Sequence, residues 1–147
     1  MDQIYTLEEL YYKLNNNFNH TQFNDLAIYI NKYCGNDWTK YLSFKNFNNQ
    51  IKLNDYSNSE FEMLLVYWTP NQYSKLYDHS NNGCIMKVLD GTIIENLYDY
   101  NFSLQNSTQI NKNYVSVINY HLGLHQMYTQ TYSITLHIYT IPPHYYP

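Results

Sequence analysis

The sequence predicts a mainly β domain, a small antiparallel barrel or sandwich with helices packed outside it. Three observations carry that expectation. Residues 1–45 place their apolar side chains at helical spacing, and beyond them the pattern changes to short alternating runs divided by turn residues. The length, 147 residues, suits one domain with a proper core.

Taken in order, Thr6 stands three residues before Glu9, the spacing of a capping box, and Leu7, Leu10, Tyr11 and Leu14 then fall on one helical face. Thr21 opens a second helix with Phe23, Leu26, Ala27 and Ile30 on a common stripe, ending near Cys34-Gly35. Asn36 or Asp37 caps a short third helix through Trp38 to Leu42. The runs FEMLLVYW (61–68), CIMKVL (84–89), TIIENLY (92–98), YVSVI (114–118) and SITLHIY (133–139) read as strands, being rich in β-branched, aromatic and aliphatic residues. Asp90-Gly91 reads as a tight hairpin between two of them. In the last run Ile134, Leu136 and Ile138 point one way and Thr135, His137 and Tyr139 the other. With the apolar face against the helices, the polar face lines the interior. An interior lined with His and Tyr suits a ligand or metal better than one filled with leucine. The expected organisation is a single domain: a helical segment at 1–45, a barrel at 46–143 and a tail at 144–147.

Composition excludes several classes. Eight Lys+Arg against 12 Asp+Glu give a net charge of -4, and the lysines form no run, which argues against nucleic acid as a partner. No apolar stretch is long enough to cross a bilayer and the N-terminus lacks the plan of a signal peptide, so a cytoplasmic protein without membrane contact is expected, as a monomer. Two cysteines, Cys34 and Cys84, make no disulfide framework and are expected to be reduced. The 19 tyrosines, the many asparagines and the single alanine follow a bias toward AT-rich codons. The chain holds no arginine, which removes the bidentate guanidinium from every site.

One stretch, KLYDHSNNGCIMKVLDG at 75–91, carries chemistry. In an extended strand Tyr77 and His79 share a face while Asp78 points away. His125 in HLGLHQMY is the distant partner for His79, and two histidines meeting from two strands make a mid-barrel site for a divalent first-row metal. Ordinary half-buried, hydrogen-bonded histidines are the plainer reading of each.

Trp38 with Tyr41 and Phe44, Trp68, then YDHSNNGCIMKVLDGTIIENLY, GLHQMY and LHIYTIPP occur in an order that resembles the type I cysteine dioxygenases, thiol dioxygenases of the cupin superfamily, over roughly residues 38–143. The resemblance implies a cupin-type barrel and an iron-dependent enzyme. It puts His79 and His125 at the second and third iron ligands and Tyr77 at the first. Cys84 and Tyr139 stand where some members carry a cysteine–tyrosine thioether crosslink, His137 where that tyrosine has its hydrogen-bonding partner, and Thr135 where a serine completes the relay. The implied substrates are cysteine, chelating Fe(2+) through thiolate and amine, and O2, with cysteine sulfinate as product. Three neutral imidazoles suit that task, because they leave three positions open and add no charge to oppose the thiolate.

The chain departs from the family at three places. The carboxylate-gripping arginine is absent: Ile51 aligns with it and Lys52 is the adjacent point charge, while Gln126 replaces the arginine after the third ligand. Tyr77 replaces a histidine. As a phenolate it would favour ferric over ferrous iron, giving a ferric-tyrosinate enzyme of altered chemistry. Uncoordinated, it leaves a two-histidine site, or a cupin that has lost catalysis and binds a small ligand or a protein. Neither Asp78, on the opposite face, nor His121, four residues before His125, is a ready substitute.

Overall fold

The computed structural model describes residues 2–19, 22–44, 49–74, 83–118 and 123–140. Helix α1 (Leu7–Asn17) starts where the capping-box spacing puts it: Glu9 N donates to Thr6 Oγ1 at 3.0 Å. A second cap comes from thirty residues away, where Asp37 Oδ2 accepts from Leu7 N at 2.8 Å. Asp37 Oδ1 accepts from the Tyr33 hydroxyl at 2.6 Å, and burial together with that carboxylate pushes the Tyr33 phenol far above its ordinary range. Asp37 thus serves α1 and Tyr33. The second helical stretch is a 3-10 turn (Phe23–Leu26) running into α2 (Ala27–Lys32), and the third is a 3-10 helix over Asp37–Phe44. Thr21, the expected start of the second, lies outside the described residues.

Among the described residues eight strands follow: β1 (Gln50–Lys52), β2 (Phe61–Trp68), β3 (Cys84–Asp90), β4 (Thr92–Tyr98), β5 (Leu104–Asn111), β6 (Val115–Ile118), β7 (Leu124–Tyr128) and β8 (Ser133–Thr140). They form two antiparallel sheets, one in the order β1-β2-β8-β3-β6 and the other β5-β4-β7.

Asp90-Gly91 is not a hairpin. β3 pairs with β8 and β6, whereas β4 pairs with β5 and β7, so the dipeptide turns the chain from one sheet into the other. Gly91 has φ +80, and a Cβ there would collide with the Ser133 side chain. Only glycine makes this corner without strain. Ser133 Oγ accepts from Thr92 N at 3.1 Å and so fastens the start of β8 to the same bend.

The five-stranded sheet has two unlike faces. Phe61, Met63, Leu65, Ile85, Leu89, Ile134, Leu136 and Ile138 form one core with Leu7, Leu10, Leu14, Leu26 and Ile30 of the helices. Val66, Trp68, Cys84, Met86 and Val88 pack instead with Ile93, Ile110 and Met127 of the other sheet. The chain therefore buries the helices against the outside of a two-sheet barrel. Lys87 is the charged exception on the outer face: its ammonium donates to the carbonyls of Ile30 (3.3 Å), Asn31 (2.9 Å) and Tyr33 (2.5 Å) at the C-terminus of α2. Burial pulls its pKa below the ordinary lysine value.

Candidate active site

The inner face of β8 holds three of the candidate site residues, Thr135, His137 and Tyr139. Cys84 on β3 lies directly opposite Tyr139, and the neighbouring pair Gly83 and Thr140 is hydrogen-bonded, Thr140 N to Gly83 O at 3.0 Å. Cys84 and Tyr139 therefore occupy a non-hydrogen-bonded pair, the kind in which antiparallel side chains come closest. His137, two residues back, stacks on the Tyr139 ring at 5.6 Å between centroids and 9° between planes.

A hydrogen-bonded line runs through these residues. Trp68 Nε1 donates to Thr135 Oγ1 at 2.9 Å, Thr135 Oγ1 meets His137 Nε2 at 2.7 Å, and His137 Nδ1 faces the Tyr139 hydroxyl at 3.3 Å and the Cys84 sulfur at 3.8 Å. Alternation explains why: residues 135, 137 and 139 of one strand point to one side, and Trp68 sits on the adjoining strand. Cys84 is fully buried, and its thiol pKa is pushed up to about 12 by that burial, against a lowering by the Tyr139 hydroxyl and a further rise from Glu95. It is a neutral thiol at physiological pH. Cys34, the other cysteine, is free and exposed.

From the other sheet come His125 and Glu95. Leu97 opposes His125 and Glu95 opposes Met127, so Glu95 is the diagonal neighbour of His125 on the same face. Both are largely buried, with His125 Nδ1 3.4 Å from Glu95 Oε2, and Ser116 Oγ donates to Glu95 Oε1 at 3.3 Å. A carboxylate behind one ring nitrogen is the arrangement that orients an imidazole to present its other nitrogen to a metal. His125 is thus a candidate donor for a divalent first-row ion. Among the described residues no three potential ligands come together. Tyr77, Asp78, His79 and His121 lie outside those residues. A groove of about 230 Å³, lined by Glu95, Thr108, Ile110 and Ser116 among others, opens between the β5 and β6 edges of the two sheets.

Lys52 is on the same side of its sheet as His137, since Lys52 opposes Leu64 and Leu64 opposes His137. Its ammonium lies 3.3 Å from Glu62 Oε1, and Glu62 opposes Tyr139. Ile51 packs against the outer core instead. Gln126 alternates with His125 and so projects from the other face of β7. Sequence reasoning named Trp68 as part of the resemblance without a role, and missed Glu95 and Glu62 as neighbours of the site. The signal for Glu95 was its place in TIIENLY, where Ile93, Glu95 and Leu97 share one face of the strand.

Several solved structures resemble this one at low sequence identity. A cupin-2 domain protein from Shewanella frigidimarina superposes with a TM-score of 0.56 at 12% identity, covering 70% of this chain and 91% of that one. A protein from Bacillus halodurans gives a TM-score of 0.57 at 14% identity over 74% and 81% of the two chains. KdgF from a Halomonas species gives 0.52 at 11%, over 62% and 76%. These likenesses establish the cupin fold. The family model for cysteine dioxygenase type I matches residues 5–146, nearly the whole chain, and with Cys84, His137 and Tyr139 gathered inside the barrel this protein belongs to the type I cysteine dioxygenase family.

Proposed function

We propose that the protein is an iron-dependent thiol dioxygenase that adds both atoms of O2 to the sulfur of cysteine or a related small thiol. The observation that carries this reading is the opposed pair Cys84 and Tyr139 with His137 between them and Thr135 and Trp68 behind, inside the barrel of a family member. The reaction balances without a further reductant: R–SH plus O2 gives R–SO2H, the sulfur losing four electrons and the oxygen gaining them. Bound Fe(2+) would supply the centre at which thiolate and dioxygen meet. His125 would hold it, oriented by Glu95, and His79 would do so from the stretch outside the described residues, with Tyr77 at the first ligand position that the family resemblance assigns.

The remaining residues handle protons and water. Trp68 donates to Thr135, which leaves the Thr135 hydroxyl two options. Either it donates to His137 Nε2 while Nδ1–H donates to the Tyr139 oxygen, or it accepts from Nε2–H while the Tyr139 hydroxyl donates to Nδ1. The two arrangements hold the same number of protons and differ in whether the Tyr139 oxygen accepts from Nδ1 or donates to it, so the line sets the hydrogen-bonding role of the Tyr139 hydroxyl. The buried apolar side chains of Val66, Met86 and Met127 keep this end of the barrel dry. The opposition of Cys84, a neutral thiol, to Tyr139 supports a thioether between them, whose formation would remove two electrons and two protons from the pair with O2 as the acceptor.

The test is anaerobic loading with ferrous iron, followed by oxygen uptake with L-cysteine and mass-spectrometric detection of the sulfinate, with His125→Ala as control. Near-stoichiometric iron and thiol-dependent uptake, both lost in the control, are expected. Absence of iron binding would leave the second reading, a binding module that has lost catalysis, which Tyr77 at the first ligand position favours.

A further inference from the structure

The charges around the site bear on which thiol enters, an inference that rests on the function just proposed. Among the described residues Lys52 is the one lysine on the inner face of the sheets. Lys87 is spent on the carbonyls of α2, Lys112 lies in the turn after β5 at 3.9 Å from Asp90, Lys13 and Lys32 belong to the helices, and Lys40 sits over the Tyr41 ring at 5.3 Å. Lys52 is itself neutralised by Glu62 at 3.3 Å, and Glu62 occupies the same cross-strand row as Tyr139 and Cys84. Glu95 adds a second carboxyl group on the inner faces. No arginine exists anywhere in the chain to offset them.

An α-carboxylate arriving beside Tyr139 therefore meets a cation already taken and a carboxylate of its own sign. An amine arriving there meets Glu62. We propose that the Lys52–Glu62 pair sets the substrate class, and that the site selects small aminothiols without a free carboxylate over cysteine itself. The pair is about half exposed, so its bias is modest and screened by salt.

L-cysteine and its methyl ester differ in charge at one group, which makes them the probes, with 2-aminoethanethiol as a third. Binding to the ferrous-loaded protein is measured anaerobically by calorimetry for the unmodified chain, Glu62→Gln and Lys52→Gln. The deciding quantity is the change in the ratio of ester to cysteine affinity, because the ester's lower thiol pKa cancels in it. Glu62→Gln is expected to shift that ratio toward cysteine by about three- to tenfold, and Lys52→Gln to shift it toward the ester. Both shifts should shrink at high salt, and 2-aminoethanethiol should follow the ester. A ratio that neither variant moves, with iron and thiols still bound, overturns the charge selection alone. Failure of every thiol to bind iron-loaded protein overturns the functional reading, and the selection with it.

Discussion

The two faces of β8 are unlike one another. On one side Ile134, Leu136 and Ile138 enter the core that joins sheet to helices; on the other, Thr135, His137 and Tyr139 carry the hydrogen-bonded line toward Cys84. All but Tyr139 of these six are buried. Burial alone therefore does not separate scaffold from site. What separates them is how their polar atoms are satisfied: the inner face links its side chains to one another, while the outer face has almost none to satisfy and pairs its one lysine with backbone carbonyls. Stability should reside mainly outside and chemistry inside, and substitutions on each face test the division.

The largest expected effect is on the inner side. His137→Ala should lower thiol-dependent oxygen uptake by about a hundredfold, within the range for a positioned proton-transfer group, while circular dichroism keeps the strand signal. Uptake within a few-fold of the unmodified protein would remove His137 from the chemistry. On the outer side Leu136→Ala should cost about 2–5 kcal/mol in urea unfolding, through lost burial and a cavity, and leave iron stoichiometry of the folded fraction intact. Lys87→Met should cost about 2–4 kcal/mol by the same measurement, because it strands three carbonyls that Lys87 now satisfies; a neutral result would make the lysine dispensable. Asp37→Ala, which uncaps α1 and frees the Tyr33 hydroxyl, should cost about 1–2 kcal/mol.

The smallest effect is a pH dependence that crosses the division. Burial raises the Cys84 thiol to about 12 from an ordinary value of 9.0. Between those values the unfolded chain has lost the proton and the folded chain keeps it, so stability falls as pH rises through that window. In protein without the thioether, Cys84→Ala should flatten the alkaline limb of a stability profile above pH 9, the residual slope belonging in part to Tyr33.

Much of this was legible in the residues. The strand runs at 61–68 and 92–98 have the bounds expected, α1 starts at its capping box, and the alternation in SITLHIY separated core from site before any coordinates. Two strands escaped notice, and the strand of His125 was expected without bounds. β1 is three residues long; β5, Leu104–Asn111, is mostly polar and exposed, so no apolar alternation marks it; β7 carries His125 and Gln126 in a run of five. Such strands are held by pairing with their neighbours, a long-range effect that local composition does not record. The same limit explains Asp90-Gly91, whose residues suit a hairpin although their partners lie in different sheets. Within the site, Cys84, His137 and Tyr139 were found through the family resemblance. Glu62 and Glu95 were not, because their roles depend on cross-strand register.

Trp68 gives the hydrogen-bonded line an end. An indole N–H gives a hydrogen bond and accepts none, so no proton can leave through it. The line from Tyr139 to Thr135 is consequently not a relay that carries a proton away but a closed one with two settings of equal proton count, and what changes between them is whether the tyrosine oxygen gives a hydrogen bond or receives one.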